Sequence, residues 1–335
     1  MNSYSLNRRQ FLQLSAAASL SASTIGGRLW AQERIDDFPS KPIRIVVPYT
    51  PGGVSDQIAR AFGAGMQQAW GQPVIVDNRP GAATNIGNSA VAKAKADGYT
   101  LLLSTPTLSS NGALFSGKLG YDPVKDFTGV SCLVRNPNAM LVPAGSPFKT
   151  VADVIAWGKA HPGDLTYGHP GTGAIPHLAA ELFAVTAGLQ MTPVPYKGTA
   201  PVMADLLGGQ LPLAFDNFPG YLQHVRSGKV RALAILGSER LSVAPQIPSM
   251  ADAGFKDFDG TGWSGISAPA GTPRPIIDKL SAELQRIAEL PRVRSQFETT
   301  GFTLVGNSPA EFDRWLDSEL KRWSNLILTR NIRLE

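Results

Sequence analysis

Residues 43–56 read Ile43-Arg44-Ile45-Val46-Val47-Pro48-Tyr49-Thr50-Pro51-Gly52-Gly53-Val54-Ser55-Asp56. The first five form a β-branched run of the kind that fills a buried strand. Beyond the last three, Ile58, Phe62, Met66 and Ala69 recur at helical spacing, and Gly71 and Pro73 end the pattern. A turn of prolines and glycines joins the two. A strand passing through such a turn into a helix is the start of a βαβ unit. Free N–H groups at the helix start, beside glycines that let a ligand approach the backbone, make it a cradle for an anion. Ser55 or Asp56 is expected to cap the helix, and an acid in the first turn is stabilising without any ligand.

The alternation continues along the chain. Strands are predicted at 74–76, 100–103, 166–168, 211–215 and 230–236, with helices at 85–96, 151–160, 174–187, 200–207 and 220–227. The pattern predicts an α/β protein with mainly parallel sheets covered by helices on both faces. Two stretches break the rhythm, 129–142 and 258–268, both rich in strand formers and bounded by Gly and Pro. They are read as two crossings between lobes, since about 300 residues is long for one core and comfortable for two. Lobe 1 is then discontinuous, residues 38–137 and 263–335, and lobe 2 spans 138–262. Helices close the chain at 274–289 and 309–329, where Phe312, Trp315, Leu316, Leu320 and Trp323 fall at helical spacing as packing residues.

At the N-terminus, Arg8 and Arg9 precede Phe11, Leu12 and Leu14 and a weakly apolar run interspersed with serines. This is the pattern of a twin-arginine export signal, with an ordinary signal and two chance arginines as the plainer alternative. Ala31 offers a small residue at the cut position, so residues 1–31 are expected to be removed and the mature chain to be periplasmic. No later stretch approaches the roughly 18 to 20 apolar residues needed to span a bilayer. Cys132 is the only cysteine, which excludes an intramolecular disulfide and reads as a small core residue. Loss of Arg8, Arg9 and Arg28 takes the 31 basic residues to 28, against 26 acidic, and the formal charge from +5 to +2. The basic residues are scattered, so no nucleic-acid partner is expected.

Four more loops follow strands: Ser104-Thr105-Pro106-Thr107, Gly168-His169-Pro170-Gly171-Thr172-Gly173, Pro195-Tyr196-Lys197-Gly198-Thr199 and Asp216-Asn217-Phe218-Pro219. Ligands of open α/β sheets bind beyond the carboxyl ends of the strands. The loops therefore describe a cleft of backbone amides and hydroxyls with one cation, Lys197, and one acid, Asp216. Such a set binds anions and offers little to react with them. His161, His169, His177 and His224 have no metal-ligand spacing, so neither metal nor cofactor is expected. Gly262-Trp263-Ser264-Gly265 falls one residue short of a nucleophile elbow. His177, one turn into a helix, is expected to brace its loop. No enzymatic activity is expected, an exported α/β enzyme being the alternative.

Several of these stretches also carry a family likeness. P-Y-T-P-G-G-V-S-D-Q-I-A-R (48–60), V-D-N-R-P-G-A-A-T-N-I-G (76–87), D-G-Y-T-L-L-L (97–103), G-T-G-A-I-P-H-L-A-A-E-L-F (171–183) and the run 194–216 resemble the Bug family, the receptors of tripartite tricarboxylate transporters. The resemblance covers nearly all of the chain after the leader. It implies a two-lobed, hinge-closing periplasmic-binding-protein fold of the type II, Venus-flytrap kind. It also implies a carboxylate gripped between residues 49–55 and 171–174, largely by backbone amides and water. The implied partners are the membrane subunits of such a transporter, with a sensor kinase as the alternative; the chain is expected to be a monomer.

Within that frame the amides of Gly52, Gly53, Thr172 and Gly173 are expected to hold one carboxylate, with hydroxyls from Ser104 and Thr107. Tyr49, Thr50, Ser55, Gly171 and Ala174 belong to the same loops. Lys197 either meets a second carboxylate or is a solvated surface charge. Tyr49, Phe218 or Trp263 wall the carbon skeleton. Two departures stand out: Ala174 where the family often has a hydroxyl, and Gly81-Ala82-Ala83-Thr84-Asn85 where it often reads G-A-G-G-N. The first removes one candidate hydrogen bond to ligand. The expected ligand is a di- or tricarboxylate or an aromatic carboxylate; a dicarboxylate, an aromatic carboxylate, an amino acid and a nicotinate-like compound all satisfy one anion cradle with a partly apolar cavity.

Overall fold

The structure, a computed structural model, describes residues 37–115 and 118–333; the leader expected at 1–31 lies outside them. The chain divides into two units, 1–41 and 42–335, and both sheets belong to the second. Strand and helix alternate first as β1 (Ile43–Val47), α1 (Val54–Trp70), β2 (Val74–Asn78), α2 (Asn85–Ala92), β3 (Thr100–Ser104) and α3 (Pro106–Leu114). Two long strands follow, β4 (Phe127–Asn136) and β5 (Asn138–Pro143). The alternation resumes as α4 (Val151–Ala160), β6 (Leu165–His169), α5 (Ile175–Ala187), β7 (Met191–Pro195), α6 (Thr199–Leu207), β8 (Ala214–Asn217), α7 (Phe218–Arg226) and β9 (Val230–Ile235). The chain closes with β10 (Gly262–Pro269), α8 (Arg274–Ala288), α9 (Pro291–Glu298), β11 (Thr303–Leu304) and α10 (Pro309–Thr329). Among the described residues no helix is long and apolar enough to cross a membrane.

One sheet is ordered β11-β4-β10-β3-β1-β2 and the other β7-β6-β8-β5-β9. Both are mixed, where mainly parallel sheets were expected. β1 lies parallel to β2 and β3, and β6 to β7 and β8, but β10 runs antiparallel to β3 and β4, and β5 to β8 and β9. The crossings impose this. The chain leaves the first sheet at the end of β4, and β10 returns beside it with Gly262 opposite Asn136, so the returning strand must run backwards. β5 likewise enters the second sheet where the parallel strands end, with Asn138 opposite Asn217. The carboxyl ends of the parallel strands in both sheets therefore face the same junction.

Pro137 separates β4 from β5, because a residue without an N–H cannot continue a ladder. The second crossing lies against the first: Leu236 N donates to Asn138 O (2.8 Å), Asn138 Nδ2 to Gly260 O (2.7 Å) and Gly260 N to Leu236 O (2.8 Å). Arg135 forms an ion pair with Asp259, and its guanidinium lies 5.5 Å from the Trp315 ring centre. Each sheet buries both faces. Met140, Tyr167, Phe183 and Phe215 fill one side of the second sheet, and Leu141, Leu206, Phe218 and Tyr221 the other. Phe218 is thus core and not a cleft wall. Cys132 is fully buried with Trp263 and Phe312, and burial pushes its thiol pKa up.

Asn138 is 1% exposed, and truncating it orphans the Gly260 carbonyl at the point where both crossings meet. Asn138→Ala should lower the unfolding free energy by about 1–3 kcal/mol, measured by chemical denaturation.

Candidate functional site

A cavity of about 510 Å³ opens between the two sheets, at the junction to which the strand ends point. Five helices begin there. Their N-cap residues, Gly53 of α1, Thr105 of α3, Ala174 of α5, Gly198 of α6 and Asn217 of α7, all line the cavity, and none of these ends is closed by its cap side chain. The first amides of a helix have no partner one turn back, so each end presents N–H groups and a partial positive charge. In α3, α5 and α7 a proline stands in the first turn, where its fixed φ suits the helix and its missing N–H costs nothing. By contrast α4 and α10, which start elsewhere, close their ends with capping boxes from Thr150 and Ser308.

No Asp, Glu, Lys, Arg or His lines the cavity among the described residues. Its polar surface is amide and hydroxyl, and its apolar surface comes from Val54, Ile175, Trp263 and Phe302 with several prolines. Such a set holds an anion by aligned dipoles and leaves the charge without a counter-ion.

Tyr49, Thr50, Gly53, Ser55, Thr107, Ala174 and Trp263 line the cavity together. Tyr49 Oη lies 2.9 Å from Thr105 Oγ1, which lies 2.9 Å from Thr107 Oγ1, so a hydroxyl chain ties the β1–α1 loop to the start of α3. Thr84 donates into it at 3.0 Å. Burial raises the Tyr49 pKa, keeping the phenol a donor. The Trp263 indole N–H is engaged by Glu319 at 3.3 Å.

Other expected residues do not line it. Gly52 is exposed on its turn, with φ +85° and its N–H donated to Asp56 Oδ2 at 2.9 Å. Asp56 also accepts from Asn78 Nδ2 (3.0 Å) and Arg60 Nε (2.9 Å), and the Arg60 hydrogen bond leads in holding its pKa below the usual carboxylate range. The cap of α1 is therefore Gly53, with Asp56 bracing the loop from behind. Ser104 ends β3, buried, within 2.9 Å of Ser267 Oγ. Lys197 points outward on an exposed loop.

Gly173 packs against Leu114, and an added Cβ would stand 2.3 Å from Leu114 Cδ1. Its N–H is donated to His177 Nδ1 at 3.0 Å, so His177 braces the loop. Gly171 donates in the same way to His169 Nδ1 at 3.3 Å, and Thr172 faces away from the cleft into a separate cavity. An amide spent on the scaffold is lost to the cleft, and sequence alone does not tell which way an N–H points.

Asp216 lies beneath the cavity, fully buried. Its oxygens accept from Thr199 Oγ1 (2.8 Å), Asn217 N (2.7 Å) and Tyr221 Oη (2.9 Å). It fastens the starts of α6 and α7 and touches no ligand space. Residues not singled out include Asn136, Asn138 and Ser264 at the crossings and the helix starts Ile175 and Gly220. Pro137 between two asparagines was the available signal for the first pair.

Comparison with known proteins sets this geometry in a family. The model for the tripartite tricarboxylate transporter family receptor matches residues 58–332. The chain belongs to that family. It is 35% identical to the protein BugT of Bordetella pertussis over 301 residues, 90% of this chain and 92% of BugT. A Rhodopseudomonas palustris protein solved with adipate superposes with a TM-score of 0.78 at 34% identity, over 89% of this chain and 100% of that one. The MatC protein of the same organism, solved with malate, gives 0.74 at 32% identity, over 87% and 100%. The periplasmic binding protein BugD gives 0.74 at 30%, over 89% and 100%. This receptor is accordingly a solute-binding protein of the periplasmic-binding-protein fold.

Burial pushes the Asp216 pKa up to about 6, against the pull of its donors. The folded state therefore takes up this proton before the unfolded chain does. The associated stabilisation is present below the unfolded-state pKa of about 4 and is lost as pH rises through about 6. Subtracting the urea stability of Asp216→Asn from that of the wild type across pH 4 to 7 should give a difference that falls with rising pH. A difference that rises instead would mean that the ion is favoured.

Proposed function

We propose that this receptor captures a small carboxylate in the cleft, without catalysis, and delivers it to the membrane subunits of a tripartite tricarboxylate transporter. The convergence of five uncapped helix starts on one cavity carries the proposal. Its volume lies within the range of small-molecule sites, and its apolar walls suit a short carbon skeleton.

One carboxylate group is received by the amides at the starts of α1 and α5, at Gly53–Ser55 and Ile175, with the Ser55 and Thr107 hydroxyls at its edge; the Ala174 N–H is already given to Gly171 O at 3.1 Å. The distal part of the ligand meets the starts of α6 and α7 at Thr199 and Gly220. A second carboxylate, as in the adipate and malate of the family's solved structures, is received by dipoles at that end and not by Lys197. Capture without reaction is supported by the lining, which among the described residues contains no carboxylate or imidazole to move a proton. Family membership supports the transporter as destination, and the Arg8-Arg9 leader supports delivery to the periplasm.

Ser55 Oγ has no hydrogen-bond partner among the described residues and is free to bind. In a thermal-shift screen of mono-, di- and tricarboxylates, at least one member should raise the melting temperature. Saturation at a hundredfold excess over Kd corresponds to about 2.7 kcal/mol of added stability. Ser55→Ala should weaken that ligand roughly fivefold by calorimetry. A screen in which no carboxylate stabilises the protein would overturn the proposal.

A further inference from the structure

Behind the glycine loop lies a second cavity, of about 320 Å³, lined by His169, Thr172, His177 and Glu181 and by Arg330 and Arg333 from the segment after α10. It is separate from the cleft: neither histidine lines the larger cavity, and none of the five helix-cap residues lines this one. The two imidazoles stack with their centres 4.1 Å apart and their planes 13° from parallel.

Their protonation is set by the loop in front of them. The Gly171 and Gly173 amides donate to Nδ1 of His169 and of His177 respectively. A ring nitrogen that accepts a hydrogen bond carries no proton, so in each neutral ring the proton sits on Nε2. Burial is the main cause that holds both rings neutral, with His169 lowered to about 3 and His177 to about 4. The rings are buried, 1% and 4% exposed, yet neither Nε2 is bonded to the protein among the described residues and neither is sealed from solvent. Two N–H donors on otherwise buried rings thus open onto the cavity with no partner among the described residues, so their partner there is water or a ligand.

The charges around them favour an acceptor that is an anion. Glu181 is already satisfied by Tyr167 Oη (2.6 Å) and Arg330 Nε (2.7 Å). Arg333 has its Nε on Asn331 Oδ1 at 3.0 Å and forms no ion pair with the described residues. Among the described residues the lining therefore carries one positive charge in excess. Met191, Pro193 and Ile332 supply the apolar remainder.

We propose that this cavity is a second ligand site, for a small oxyanion such as a carboxylate or inorganic phosphate, bound by the Nε2–H groups of His169 and His177 with Arg333 supplying the charge. An occupant would hold both imidazoles in the tautomer that receives the Gly171 and Gly173 amides. It would thereby stiffen the loop that leads into Ala174 and the start of α5, on the opposite side of which the cleft lies. Any effect on cleft affinity must then be reciprocal. The site rests on its own residues and stands or falls independently of what the cleft binds.

The test is a titration of the full chain, labelled with ¹⁵N-histidine, followed by long-range ¹H–¹⁵N correlation at neutral pH. Inorganic phosphate and acetate are added in separate arms, and sodium chloride of equal ionic strength is the control. His169 and His177 should both show a protonated Nε2 and an unprotonated Nδ1. Phosphate or acetate, but not chloride, should shift the two Nε2 signals saturably, and whichever anion binds more tightly names the preferred class. Arg333→Ala, an exposed change that leaves the fold intact, should weaken the titration roughly fivefold, with Arg333→Lys retaining most of it. Histidines protonated at Nδ1, Nε2 signals that respond to neither oxyanion, or an unchanged titration in Arg333→Ala would each overturn the proposal.

Discussion

The two passages of chain between the lobes lie side by side, and the geometry of the cleft depends on that pairing. Asn136 stands opposite Gly262 in the ladder, and one residue beyond Pro137 the Asn138 side chain bridges to Gly260. Because the chain leaves one sheet at the end of β4 and returns to it beside that same strand end, the returning strand is antiparallel and the strand ends of both sheets are aimed at one volume. Pro137 also contributes its carbonyl, which accepts from the first amide of α7 at 3.0 Å. The junction thus takes up one of the exposed helix-start donors and leaves the next, Gly220, to the cavity.

Binding an anion without a cation is consistent with the electrostatics around the cavity. Fixed dipoles are already oriented, so they lose little freedom on binding, whereas a lysine would have to be desolvated and its long side chain ordered. The acids near the site serve the scaffold. Asp56 pins the first loop from behind, and Asp216 pins the starts of α6 and α7, each accepting several donors. Acceptors of this kind keep flexible turns in one conformation, and their negative charge, engaged by those donors, lies outside the cavity lining.

The β1–α1 unit and the strand–helix alternation were legible in the sequence because each rests on a local pattern. What was missed has physical reasons. α3 begins at a proline and has apolar residues scattered around it, so no stripe marks it, and Ser104 to Thr107 read as loop. β7 carries Pro193 and Pro195, which only an edge strand tolerates. The antiparallel strands follow from where the chain crosses, a tertiary fact without a local signature. At the site, the loops were found but not the direction of their groups. Gly52 and Gly173 give their N–H groups to Asp56 and His177 and Ser104 turns to Ser267; Lys197 takes the solvated of its two readings, and Asp216 is a buried fastening.

α10 extends from the helices of the first sheet onto α5 beside the second, where Trp323, Leu326 and Ile327 meet Ile175 and Leu178 in one apolar cluster. Ile175 belongs to that seam and also to the wall of the cavity. Any shift of one sheet against the other has to part this apolar joint and expose Ile175 and Leu178 to water, a cost set by packing and independent of the polar groups of the cavity.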